Sequence, residues 1–255
     1  MKCFWLISLI LSITLTSQVS SFEVACRYEI ETGFNELIPA AYCCNVISDH
    51  HHVKEGILSI SSATGRHLVD KKDTDVTGFW VYGSHFDFFP QGLSKVFNNL
   101  EVIIFGDCGI KRIGKNDLKP FPKLIWFSLF VNQIEVIENG LFDYNPNLKY
   151  ISLRDNKISR IHPNSFDHLA YLVTLRLSGN LCINVNANEN RNQVVDLIRK
   201  LKAKCSAPEV ITTTEESINV MEGRFDDENI KGMTSRLESS VLMVTVAAVL
   251  WICIQ

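Results

Sequence analysis

Three consecutive histidines, His50-His51-His52, follow Asp49 and supply ligand types that suit zinc or copper. A tight site needs donors that converge on one point, and neighbouring side chains along a chain diverge. The run is therefore expected to be an exposed loop, and no metal ligand set is assigned. His85 and Cys108 come nearest to a thiol–imidazole pair, but no Gly-x-Ser-x-Gly elbow, His-Glu-x-x-His pair or phosphate loop accompanies them. Neither an enzymatic activity nor a cofactor is expected. The side chains that remain are rings, an isoleucine and guanidinium groups: Trp80, Tyr82, Ile104, Trp126, Phe130, Tyr150, Arg154 and Arg176. Aromatic residues and arginine are favoured anchors of protein interfaces.

Those eight residues are not scattered. Val76, Leu100, Leu124, Leu148 and Leu172 recur every 24 residues, and columns counted from them are apolar throughout. Phe79, Ile103, Phe127, Ile151 and Leu175 stand three residues on, and Val81, Phe105, Leu129, Leu153 and Leu177 stand five on. The alternation is that of a short strand with one buried face. One turn cannot bury its own apolar edge, but stacked turns bury a shared core. The eight residues lie at offsets four, six or two, on the opposite face of that strand. Five strands about 4.8 Å apart make a ribbon roughly 20 Å wide. Offset eight holds Ser84, Cys108, Asn132, Asn156 and Asn180. There the chain turns sharply, and an asparagine amide can satisfy backbone groups of adjacent turns. Cys108 is expected to be a buried structural thiol, with a bond to the odd front cysteine as the rival. His85 and Cys108 fall in adjoining turns at unmatched offsets.

The columns resemble the leucine-rich repeat family in its 24-residue extracellular type, most clearly in Leu148-x-x-Ile151-x-Leu153-x-x-Asn156-x-Ile158. The resemblance implies an α/β solenoid with a parallel β-sheet on its concave face and disulfide-containing caps at both ends. With Gly65-x-His67 ahead of Asp75-Val76, the front stretch is similar to secreted and cell-surface leucine-rich repeat proteins of dipteran insects. The family binds many kinds of ligand, so the likeness speaks to fold more than to function.

The repeats are expected over 76–183, between a front cap over 22–75 and a rear cap over 184–205. In the front cap Gly56–Ser61 reads as a strand outside the repeat register, and Cys26 pairs with Cys43 or Cys44, Cys44 being favoured. In the rear cap Val194, Leu197, Ile198 and Leu201 mark one face of a helix. A Cys182–Cys205 bridge would pin that helix over the last turn, contributing about 3 kcal/mol by loop closure.

Both ends carry targeting patterns. Residues 1–21 read as a signal peptide, with Lys2 before an apolar stretch. Residues 206–240 form an acidic stalk expected to be disordered, and 241–255 are an uncharged hydrophobic tail bearing no basic flank. A polar spacer and small residues before such a tail are the pattern of a glycolipid anchor, with Gly232 favoured for attachment and Ser235 and Asn229 as rivals. A short single-pass helix is the competing expectation. Either end state places the body outside the cell, where disulfides form.

Net charge is -3, with 46% hydrophobic and 21% charged residues, which argues against a nucleic-acid binder and against wholesale disorder. The expected function is an extracellular module, secreted or held on the outer membrane face. It takes a protein, or a glycan carried on one, on its concave face. The alternative is a structural or coat component that works by self-association, such as homodimer formation. On the concave face the rings should meet water unless the patch dimerises or a cap covers Trp80 and Tyr82.

Overall fold

In the computed structural model the described residues are 20–47 and 58–206. Residues 1–19 of the expected signal peptide (1–21), the histidine run, all but Ser206 of the expected acidic stalk (206–240), Gly232 and the hydrophobic tail lie outside them.

The 24-residue columns become coils of a solenoid. Each coil adds one strand to a sheet: β4 (Gly78–Tyr82), β5 (Val102–Gly106), β6 (Trp126–Ser128), β8 (Tyr150–Ser152) and β10 (Thr174–Arg176). Neighbours are parallel and in repeat register: Phe79 pairs with Ile103, Ile103 with Phe127, Phe127 with Ile151 and Ile151 with Leu175. Those five residues, and the five starting residues from Val76 to Leu172, are fully buried. On the outer arc, β7 (Val136–Ile137) pairs with β9 (Arg160–Ile161), while α1 (Leu93–Val96) and α2 (Lys115–Leu118) are single turns. Phenylalanine dominates the core between arc and sheet. Phe79 packs on Phe97 and Phe105, Phe127 on Phe142, and Phe142 on Phe166, with ring centroids 5.6–6.1 Å apart.

At offset eight the asparagines reach back one coil. Asn132 Nδ2 donates to Phe105 O at 2.9 Å and its Oδ1 accepts from Ile110 N at 3.0 Å. Asn156 does the same with Leu129 O and Ile134 N, and Asn180 with Leu153 O and Ile158 N. In the second coil Cys108 is buried, and its Sγ–H donates to Gly106 O at 3.2 Å. It is a free thiol, as is Cys43. The column just before this one is left-handed throughout: Gly83, Asp107, Val131, Asp155 and Gly179 have φ between 52° and 71°. Glycine and aspartate tolerate that region, whereas a β-branched valine is strained there.

The front cap extends the sheet beyond the expected five-strand ribbon. A hairpin of β1 (Ser20–Glu31) and β2 (Ala41–Val46) joins through β2, parallel to β4, and β3 (Leu58–Thr64) lies beyond β1. With β11 (Asn186–Ala187) antiparallel to β10 at the other end, the described residues form a nine-stranded sheet. Cys26 bonds Cys44 because both point from the hairpin into the core, while Cys43 faces the opposite, concave side. Gly65 is required where it stands, since at φ 133° any Cβ would collide with Cys26 O. Two residues on, His67 stacks on Tyr28 at 3.8 Å and bonds Tyr42 Oη and Asp73.

The rear of the stack is closed by a helix. Helix α3 (Arg191–Lys204) buries Val194, Leu197, Ile198 and Leu201, and Asn190 caps its first turn by accepting from Asn192 N and Gln193 N. Cys182 and Cys205 are bonded.

Candidate functional site: the concave face

Side chains at offsets two, four and six alternate with the core residues of each strand and therefore line the concave face. The structure brings the eight candidates together there, but it does not leave them equally open. Ile104, Trp126 and Tyr150 are buried, at 5%, 8% and 5% exposure. The Trp126 and Tyr150 rings stack in parallel, 3.5 Å between centroids and 9° between planes. The repeat pattern alone would have these rings meet water; instead the turn between β1 and β2 folds over them. Phe34, Leu37 and Ile38 project from a short 3-10 helix over Asn35–Leu37 and complete an apolar cluster with Val102, Ile104, Trp126 and Tyr150. The Phe34 ring meets Trp126 edge-on at 5.4 Å.

The cover thus sits over the middle coils; Trp80 is half-buried against the edge of that cluster and Tyr82 is left open. The pattern that could have located it is an apolar triplet at i, i+3 and i+4 inside an otherwise polar turn. It falls outside the 24-residue period and so escapes a search by columns. Burial raises the Tyr150 pKa, and the charge of Arg176, the largest opposing influence, offsets only part of that rise.

Alongside the cover runs an open lane at offset six. Tyr82 is 56% exposed, and its ring stacks on Phe130 at 6.1 Å and 28°. Phe130 reaches that far because the intervening coil has Gly106, where any Cβ would collide with the ring. The Arg154 guanidinium also lies over the Phe130 ring at 5.2 Å. Val131, strained at φ 52°, stands next in the chain and is partly open. Arg176 lies over Tyr150 at 5.3 Å and donates from Nε to Asn188 Oδ1 at 3.0 Å.

At the upstream end of the lane is a cleft of about 260 Å³, walled by Trp80 and Tyr82 and closed by Arg27, Glu31, Asn45 and Val46. The extra strands of the front cap create it, and no column of the repeat pointed to it. Asn45 Nδ2 donates to carboxylates of both Glu29 and Glu31, and Arg27 Nε donates to Glu29 at 3.1 Å. The hydrogen bond from Asn45, more than the Arg27 guanidinium, holds the Glu29 carboxyl below its ordinary pKa.

Neither free thiol is poised for nucleophilic chemistry. Burial pushes the Cys43 thiol up to about 12, helped by the negative charges of Glu31 and Glu29. Burial does the same to Cys108, also to about 12. Among the described residues no cluster of three or more His, Cys, Asp or Glu could hold a metal ion.

Comparison with known proteins finds the repeat as well: a leucine rich repeat family model matches residues 122–181. Over 105 residues the chain is 33% identical to leucine-rich repeat-containing G-protein coupled receptor 5 of Rattus norvegicus, a match that covers 39% of this chain and 11% of the receptor. The chain thus spans about a tenth of that receptor's length. Among solved structures, a chain of an octameric complex of Latrophilin 3, Unc5D and FLRT2 (LRR) is similar over 42% of this chain and 39% of its own, at 20% identity and TM-score 0.31.

Proposed function

We propose that this leucine-rich repeat protein is an extracellular recognition module, secreted or lipid-anchored at the cell surface, that binds a protein partner along the open lane of its concave face. The observation that carries the proposal is the row Tyr82–Phe130–Arg154: two stacked rings and a guanidinium, aligned across coils and left partly exposed beside a covered apolar cluster. Rings and arginine at the edge of a dry patch are the composition of an interface hot spot. The two disulfides suit an oxidising compartment, as does similarity to part of a receptor. Arg176, at the far end, extends the lane. Trp126, Tyr150 and Ile104 support it from beneath the cover, and Trp80 belongs to the cleft at its head. Gly232 is the proposed attachment point of the anchor, and residues 1–21 are the proposed signal peptide.

A photo-crosslinking amino acid placed at position 130 of the full chain on intact cells should capture a discrete protein. The same group at Tyr144 should not, because Tyr144 lies in the segment joining the concave strands β6 and β8, under Lys119. Arg154→Ala should reduce the capture at position 130. Equal capture from both positions, or capture indifferent to Arg154, would remove the lane as the binding surface.

A further inference from the structure

We infer that the cleft at the head of the lane receives a basic side chain, a lysine ammonium or an arginine guanidinium, from the bound protein. This deepens the proposal that the lane is an interface and rests on it.

Three observations converge on a cation. The first is a balance of charge. Glu29 and Glu31 are held side by side by one Asn45 amide group, and Arg27 pairs with Glu29. Arg27 and Glu31 line the cleft and Glu29 stands just outside its wall, so the three side chains together leave one net negative charge beside it. The second is the walls. Trp80 and Tyr82 line the cleft, and aromatic rings attract cations through their quadrupole. A carboxylate that shares a cleft with two aromatic side chains suits a group with a flat charged head and an apolar stem.

The third is the state of the asparagine. Its amide donors are committed to the two carboxylates, which fixes the orientation of its side chain and leaves Asn45 Oδ1 buried with no hydrogen-bond donor. The Asn45 donors are therefore spent, the acceptors left to a ligand are carboxylate oxygens, and Arg27 Nε is engaged by Glu29. The same negative field is felt on the concave side by Cys43, on which the charges of Glu31 and Glu29 both act.

The test uses the full chain labelled with 15N-tryptophan, and N-acetyl-arginine amide as the probe. N-acetyl-citrulline amide, of nearly the same shape and without charge, is the control. The Trp80 indole signal should shift saturably with the arginine probe at millimolar concentration and stay in place with citrulline. Glu31→Gln should weaken the arginine response about tenfold, and Arg27→Gln, which removes the cleft's own cation, should strengthen it about threefold. Loss of folding cannot produce that strengthening. Equal shifts with both probes, no shift with either, or a weakened response in Arg27→Gln would overturn the inference. If the probe fails while the crosslinker at position 130 still captures its partner, the cleft assignment falls and the lane stands. If the crosslinker fails while the probe binds, the reverse holds.

Discussion

Trp126 and Phe130 stand four residues apart in one coil, yet the first is buried under Phe34 and the second is left partly open between Tyr82 and Arg154. Both belong to the concave face. What separates them is the reach of the β1–β2 turn, which covers offsets two and four of the middle coils and stops short of offset six. The covered part behaves as a second small core, dry and closely stacked. The open part keeps similar rings but holds them with a strained backbone at Val131 and a cation over the ring. A single face thus has one region whose rings stabilise the fold and another whose rings are free for a partner.

The contrast is most sharply tested by truncation. Trp126→Ala should cost about 3–5 kcal/mol in denaturant unfolding, as for other buried aromatic residues, whereas Phe130→Ala should cost under about 1.5 kcal/mol. Comparable losses would mean that the lane is also core. Removing the tie behind the cover comes next. Replacing Cys26 and Cys44 together by serine releases a bond between residues 18 apart and should cost about 3 kcal/mol. Cys43 should then react with a thiol reagent faster than Cys108 does, because Cys43 lies under the cover and Cys108 lies between coils.

Alkaline pH gives a smaller effect. The free thiols have pKa values raised from 9.0 to about 12 in the fold. Above pH 9 the unfolded chain loses these protons while the native one keeps them, so the two thiols' contribution is complete below pH 9 and declines as pH rises toward 12. Cys43→Ala with Cys108→Ala should flatten that decline in a pH series of unfolding midpoints. The smallest change expected is a gain. Val131→Gly relieves a left-handed β-branched residue and should be neutral or stabilising by up to about 1 kcal/mol. Partner capture at position 130 should fall at the same time, if the strained backbone sets the pitch of Phe130.

The period of 24 makes the coils, the asparagine bonds and the concave column legible in the chain alone, because each rests on a side chain repeating a role. Helix α3 is legible for the same reason, through Val194, Leu197, Ile198 and Leu201. The Cys26–Cys44 bond is favoured by the sequence without being decided by it, since adjacent cysteines differ only in which sheet face they meet. Phe34, Leu37 and Ile38 are not legible as a cover. They act once, in a turn, against residues 64 to 116 positions downstream, and nothing local records that distance. The cleft is hidden likewise, for it depends on β1 lying beside β2 and so on the hairpin's place in the sheet.

The asparagine bonds have a direction. Asn132, Asn156 and Asn180 each find their carbonyl and amide partners in the coil made before them. A nascent polypeptide leaving the ribosome amino end first therefore meets every ladder partner already synthesised, and each coil can lock as it emerges. The bond between Cys182 and Cys205 forms later, closing the last coil like a clasp once growth has passed it.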